Sequence, residues 1–89
     1  MIENRTKKII ELVSSEFDCS VTIVFNRLER LTACGEIRFK VYYDYSINGK
    51  IYSNAVILTS EQINDLNYLY RTFRDLIDSY ILEQYAAIL

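Results

Sequence analysis

Apolar positions follow a helical period in the first third of the chain. In residues 4–17, Ile9, Val13 and Phe17 recur every four residues, which predicts an amphipathic helix. In residues 20–34 the apolar positions fall at spacings of three and four, again a helical period. The apolar positions of this second segment are Val21, Val24, Phe25, Leu28 and Leu31. The pattern predicts two consecutive helices separated by a short turn.

The period changes to two in residues 36–58. Apolar and polar side chains alternate from Ile37 to Ile47, which is typical of a strand with one buried face. Asn48-Gly49 then favours a tight two-residue turn, because both residues accept positive φ. With that turn the expected partners are Ser46 with Ile51, Tyr45 with Tyr52, Val41 with Val56, and Phe39 with Leu58. The segment therefore predicts a β-hairpin.

Residues 59–89 predict one long helix. Thr59 and Gln62 have the spacing of a capping box, and neither Gly nor Pro follows them. The apolar stripe consists of Ile63, Leu66, Tyr70, Phe73, Ile77 and Tyr80. This helix is longer than so small a body can cover, so we expect two copies to join through it. The candidate dimer interface is Leu69, Phe73, Leu76 and Tyr80; the alternative is a helix packed along its own core.

Length and composition indicate a single folded domain over residues 1–89. No apolar run approaches the ~20 residues of a membrane span, and the N-terminus does not resemble a signal peptide, so we expect a cytoplasmic protein. The chain has no His, and its two cysteines, Cys19 and Cys34, are too few for a zinc site. We therefore expect no metal, no cofactor and no catalytic residues, and hence no enzyme activity.

Charge is unevenly distributed along the chain, which has a formal net charge of −2. Residues 19–58 carry five basic and three acidic side chains, whereas residues 59–89 carry two basic and five acidic ones. The middle of the chain is therefore the part suited to a polyanion.

Residues 12–58 resemble a winged helix-turn-helix domain of the kind found in bacterial GntR-, PadR- and MarR-type regulators, without most of its first helix. The matching positions are Ser20, Val24, Leu28, Leu31, Gly35 and Ile37. The resemblance implies an α+β, winged helix-turn-helix-like fold of order α-α-β-β-α. Residues 4–34 would form the helix-turn-helix, residues 36–58 the β-hairpin wing, and residues 59–89 a C-terminal dimerisation helix.

The resemblance also implies a recognition helix that enters the major groove of DNA and a wing that contacts phosphates. The expected DNA-binding residues are Ser20, Thr22, Asn26, Arg27, Arg30, Arg38, Lys40 and Lys50. Asn and Arg can bond bidentately to adenine and guanine, which would give sequence readout. The expected function is a dimeric transcriptional regulator of bacterial or mobile-element origin that binds duplex DNA, either sequence-specifically or generally.

The alternative function is inhibition of another protein by direct binding. Small acidic proteins of phages and mobile elements act in this way, as anti-defence or antitoxin proteins. The candidate binding face is then the acidic C-terminal helix, with Glu61, Asp65, Asp75, Asp78 and Glu83. Neither function requires a membrane.

Overall fold

The computed structural model describes residues 1–88 and has an α+β architecture. Its elements in chain order are α1 (Ile2–Ser15), β1 (Val21–Ala33), β2 (Glu36–Ile47), β3 (Lys50–Thr59), α2 (Ser60–Asn64) and α3 (Leu66–Ile88). The three strands form one antiparallel sheet in the order β1-β2-β3. The core lies between one face of this sheet and the helices, and its residues come from α1, α2, α3 and all three strands.

The first helix is confirmed and begins two residues earlier than the apolar pattern predicts. Ile10 and Val13 of α1 are fully buried against the sheet. The hydroxyl of Ser14 accepts a hydrogen bond of 3.1 Å from the main-chain N–H of Ile23, which attaches the end of α1 to the edge strand β1. This contact fixes α1 beside β1.

The β2–β3 hairpin is confirmed in its turn and in its register. Asn48 and Gly49 both have positive φ, as a type I′ turn requires. The four expected pairs, including Tyr45 with Tyr52 and Phe39 with Leu58, are all present. The turn and the alternation of apolar side chains specify the same pairing, so the register is well determined.

The helix predicted over residues 20–34 is wrong, because residues 21–33 form the strand β1. The order of elements is therefore α-β-β-β-α-α, and in residues 1–88 the two consecutive helices expected for a helix-turn-helix over residues 4–34 do not form. Gly35 has positive φ as expected, but together with Cys34 it closes the β1–β2 hairpin instead of ending a helix.

A β-bulge explains why β1 has the apolar spacing of a helix. The pairing with β2 skips Asn26, so Phe25 pairs with Tyr43 and Arg27 pairs with Tyr42. The extra residue shifts the alternation and places Phe25 and Leu28, three residues apart, on the same face. The four consecutive β-branched residues from Val21 to Val24 favour a strand. The sequence-based prediction followed the helical spacing of the apolar residues instead of this local preference.

The long C-terminal helix is interrupted at Asp65, which has extended backbone angles (φ −96°, ψ 104°). The predicted capping box is confirmed: Thr59 and Gln62 bond reciprocally at the start of α2. The carboxylate of Asp65 then accepts the N–H of Tyr68 at 3.1 Å, as an N-cap of α3 does. The predicted helix end at residue 89 lies outside the described residues.

Two of the four expected dimer-interface residues lie inside the chain's own core. Leu69 and Phe73 are fully buried, and Leu76 and Tyr80 are partly buried against the same cluster. The chain's own core already covers Leu69 and Phe73, so these two side chains present no exposed surface to a second copy. The alternative, a helix packed along its own core, describes this part of α3.

Tyrosines attach α3 to the sheet. The hydroxyls of Tyr43 and Tyr80 lie 2.6 Å apart, and the ring of Tyr80 stacks on that of Tyr45 with centroids 3.9 Å apart. Burial, and then the hydrogen bond with Tyr80, raise the pKa of Tyr43 above its ordinary value, which keeps this phenol neutral. α3 is thus held by polar as well as apolar contacts.

Candidate interaction surface

The face of the sheet opposite the helices is open to solvent. Leaving out Ala33 and Glu36, the pair that closes the β1–β2 turn, alternation along the paired strands assigns fifteen residues to this face, and none of them belongs to the buried class. These residues, called the open face below, are Thr22, Val24, Arg27, Glu29 and Leu31 of β1, Arg38, Lys40, Tyr42, Asp44 and Ser46 of β2, and Ile51, Ser53, Ala55, Ile57 and Thr59 of β3.

Tyr42 lies at the centre of the open face, and two cations lie over its ring. The guanidinium carbon of Arg27 is 3.8 Å from the ring centroid, and the ammonium nitrogen of Lys40 is 4.8 Å from it. Arg27 is opposite Tyr42 on β1, and the small Ala55 is opposite it on β3. Such cation–π contacts contribute about 0.5–1 kcal/mol each at exposed sites, so they hold these long side chains near the ring.

The cations of the open face are largely matched by carboxylates. Arg27 forms an ion pair with Glu29 at 3.1 Å, and Arg38 forms one with Glu36 at the end of β2. Among the residues that the structure describes, Lys40 forms no ion pair within 4 Å. Exposed ion pairs contribute little to stability, but they neutralise the surface. The open face therefore does not have the strong positive potential that attracts a polyanion.

Apolar side chains surround this charged centre. Val24, Ile51 and Ile57 are 58%, 76% and 55% exposed, and Leu31 is half-buried. A single exposed apolar side chain is ordinary on a soluble protein. Several on one flat face, beside a central Tyr and Arg, have the composition of protein–protein interfaces, in which Tyr and Arg are enriched.

The structure brings together part of the expected DNA-binding set and separates the rest. Thr22, Arg27, Arg38 and Lys40 share the open face, and Asn26 is exposed at the bulge beside them. Arg30 pairs with Phe39 and so belongs to the opposite side of the sheet. Ser20 lies in the turn before β1, and Lys50 begins β3 at the hairpin turn.

Eleven of the fifteen open-face residues are not among the sequence candidates, and three of these eleven carry the proposal below: Tyr42, Val24 and Ile57. The signal for Tyr42 was present, because it occupies a polar position in the alternation of β2, where an aromatic ring is exposed. Val24 and Ile57 gave no such signal. The helical spacing of residues 20–34 predicts Val24 on the core face of a helix, and nothing in the sequence of β3 alone shows that one face of the sheet stays uncovered.

No other candidate site stands out in the described part of the chain. Residues 1–88 contain no group of three Asp, Glu, Cys or His side chains that could hold a metal ion. A half-open cavity of about 300 Å³ lies between the end of α3 and the start of β1. Its lining residues are Phe17, Asp18, Ser20, Val21, Ile47, Asn48, Ile81, Gln84 and Tyr85. Ser20 donates to Asp18 here, so these polar groups already satisfy each other.

Within residues 1–88, none of the helices is both long and apolar enough to cross a bilayer. Comparisons with protein-family models, with curated proteins and with solved structures gave no match to this chain. The surface itself is therefore the basis for a functional proposal.

Proposed function

We propose that this chain is a small protein-binding module and that its open face contacts the partner. The observation that carries the proposal is the composition of that face: Tyr42 under Arg27 and Lys40, bordered by the exposed side chains of Val24 and Ile57. A rigid sheet presents these groups without ordering a loop, which limits the entropy lost on binding. An inhibitor that acts by covering a partner's surface would work in this way.

The charge balance of the open face favours a protein over a nucleic acid. Binding a polyanion gains its free energy from unpaired cations that displace counterions. Two of the three cations here are already paired with Glu29 and Glu36. A protein partner can exchange these ion pairs for its own and also cover the apolar border, which a phosphate backbone cannot do.

DNA binding stays as the second candidate, carried by one observation. Arg27, Arg38 and Lys40, expected from the sequence to contact DNA, share one surface with an aromatic ring. Cations beside an aromatic platform are typical of proteins that bind single-stranded nucleic acids. Binding of this kind does not require a recognition helix, so it is compatible with residues 21–33 forming the strand β1.

A charge-reversal pair tests both candidates. In Arg27→Glu/Lys40→Glu the centre of the open face becomes acidic, whereas Lys7→Glu/Lys8→Glu makes the same change of charge on exposed positions of α1. With the protein immobilised as bait in lysate of its source cells, we expect wild type and the α1 control to retain the same partner protein. The open-face variant should lose it while keeping its circular-dichroism spectrum.

The same three proteins are then titrated with random duplex and single-stranded DNA at two salt concentrations. No binding is expected from any of them. If wild type binds DNA with a steep salt dependence and the open-face variant alone loses that binding, the function is nucleic-acid binding. If the open-face variant and the α1 control retain the same partner, the open face is not the interaction surface.

A further inference from the structure

The two edges of the sheet differ in how they are protected. On the β1 edge, the N–H of Val21 donates to the Asp18 carbonyl at 3.1 Å, and the N–H of Ile23 donates to Ser14 at 3.1 Å. The bulge at Asn26 then interrupts the strand, and three charged side chains follow within four residues. Bulges, charges and local capping are the devices by which proteins prevent an edge strand from pairing with another chain.

The β3 edge has few of these devices. β3 pairs with β2 along its whole length without a bulge, and no charged residue or Pro occurs between Lys50 and Glu61. In an antiparallel strand alternate residues direct their N–H and C=O groups away from the partner strand. The closing pair of the turn is Ile47 with Lys50, so on β3 these outward residues are Ile51, Ser53, Ala55, Ile57 and Thr59.

Two of the outward N–H groups are satisfied within the chain. The N–H of Ala55 donates to the side chain of Asn54 at 2.8 Å, and that of Thr59 donates to Gln62 in the capping box at 2.9 Å. Within the described residues, the outward N–H groups of Ile51, Ser53 and Ile57 have no hydrogen-bond partner. The side chains of Ile51 and Ile57 are at the same time largely exposed.

We propose that β3 pairs antiparallel with β3 of a second copy, joining the two sheets into one of six strands. A twofold axis at Asn54 places Ile51 opposite Ile57 of the second copy and Ser53 opposite Ala55. These are outward residues, so each pair can exchange main-chain hydrogen bonds. The two exposed isoleucines then cover each other on the open face, as cross-strand apolar pairs do.

The segment is complementary to itself, which identifies a second copy as the occupant. No charge lies in residues 51–60, so the twofold arrangement brings no like charges together. Asn54 meets Asn54 of the second copy, and an amide both donates and accepts. On dimerisation the Ala55 N–H gives up its hydrogen bond to the Asn54 side chain and donates to the Ser53 carbonyl of the second copy instead. Because this step replaces one hydrogen bond by another and adds none, we expect a weak and concentration-dependent dimer.

Sedimentation equilibrium from about 1 μM to about 1 mM tests the pairing, since this range spans the affinities of small interfaces. Ile57→Lys is compared with Val24→Lys, because both residues are apolar, lie on the open face and are 55% and 58% exposed. Wild type and Val24→Lys should dimerise alike. Ile57→Lys should weaken the dimer on the order of tenfold or more. The substitution is present in both copies, so it removes both symmetry-related pairs of Ile51 with Ile57.

Amide hydrogen exchange of the wild type tests the same contact without a substitution. The N–H groups of Ile51, Ser53 and Ile57 should exchange more slowly as protein concentration rises, and that of Arg30 on the β1 edge should not change. A wild type that stays monomeric throughout the range overturns the proposal. The proposal is also overturned if the wild type dimerises and the dimer is weakened by Val24→Lys but not by Ile57→Lys. The readouts of this proposal, self-association and amide exchange of the purified protein, need no protein partner, so they test it separately from the function proposed for the open face.

Discussion

Ser20 lies in the turn between α1 and β1, where its hydroxyl and its main-chain N–H both donate to the carboxylate of Asp18. The side-chain bond and then the main-chain bond hold the pKa of Asp18 below its ordinary value. The winged-helix resemblance places Ser20 at the start of a recognition helix, where a serine hydroxyl can cap the helix. Its hydroxyl caps a turn instead, by the same chemistry applied to a different local structure.

Ser20→Ala should therefore raise the pKa of Asp18 toward its ordinary value of about 4. A carboxyl whose folded-state pKa is lowered contributes stability above its unfolded-state pKa, and that stability is lost as the pH falls through the folded-state pKa. Acid unfolding of the variant should begin at a higher pH than that of wild type. An NMR titration of the Asp18 carboxyl measures the shift directly, and Ser15→Ala serves as the control because the hydroxyl of Ser15 bonds to Leu12. An unchanged Asp18 pKa in Ser20→Ala would contradict the assignment.

Arg27, Arg38 and Lys40 show what residue-level reasoning can recover when the element is wrong. Their positive charge marked them as surface residues, and the structure exposes them at least in part. Their convergence around Tyr42 could not be read from a helical wheel, because it depends on strand pairing between β1 and β2. The neighbours of a side chain in a sheet depend on the register, that is, on how the residues of two strands pair, and one segment alone does not determine it.

Among the elements, the β2–β3 hairpin could be predicted and β1 could not. The hairpin combines a strong turn signal with an uninterrupted alternation, so two independent signals agree. In β1 the bulge at Asn26 shifts the alternation, and apolar residues of the open face such as Val24 and Leu31 complete a false helical stripe. The break before α3 was missed for a related reason, since Asp65 is compatible with a helix interior as well as with a cap.

Deleting Asn26 tests whether the bulge is a simple insertion in β1. Without it, Phe25 and Arg27 become neighbours that alternate normally, so Phe25 stays on the core face and Arg27 stays opposite Tyr42. We expect the deletion to keep the fold, with a circular-dichroism spectrum and an amide NMR spectrum close to those of wild type outside the bulge.

The control is deletion of Val24, which is 58% exposed and so removes little buried surface itself. That deletion also restores alternation, but it turns Phe25 to the solvent and the polar Asn26 to the core. We expect it to destabilise the protein by several kcal/mol, because a buried amide without partners alone costs about 1–3 kcal/mol. If both deletions unfold the chain equally, the register around the bulge differs from the one described.

The molecule as a whole is built from two layers, with the helices on one face of the sheet and nothing on the other in the described residues. This one-sidedness leaves a surface available for a partner. The length of the strands places the two ends of the sheet far apart. Cys19 precedes β1 and Cys34 follows it, so a strand of thirteen residues, roughly 40 Å long, lies between them. A disulfide within one chain is excluded, because its Cα atoms must lie within about 7 Å.

α3 could either pack in the chain's own core or join two copies of the chain, and the burial of its side chains distinguishes these two roles. Phe73 is fully buried and its ring meets that of Tyr43 edge-on at 5.6 Å, whereas Leu82 of the same helix is 68% exposed. Phe73→Ala should lower the free energy of unfolding by about 3–5 kcal/mol, the usual effect of emptying a core site. Leu82→Ala should change it by less than about 0.5 kcal/mol.

Urea unfolding measured at two protein concentrations separates the two roles of α3. A core role for Phe73 gives the same loss of stability at both concentrations, because the contact is made within one chain. If Phe73 instead joined two copies, raising the concentration would restore part of the loss by mass action. Phe73→Leu, which keeps more of the side-chain volume, should lose less than Phe73→Ala at either concentration. A variant Phe73→Ala as stable as Leu82→Ala would mean that the sheet does not cover α3 as described.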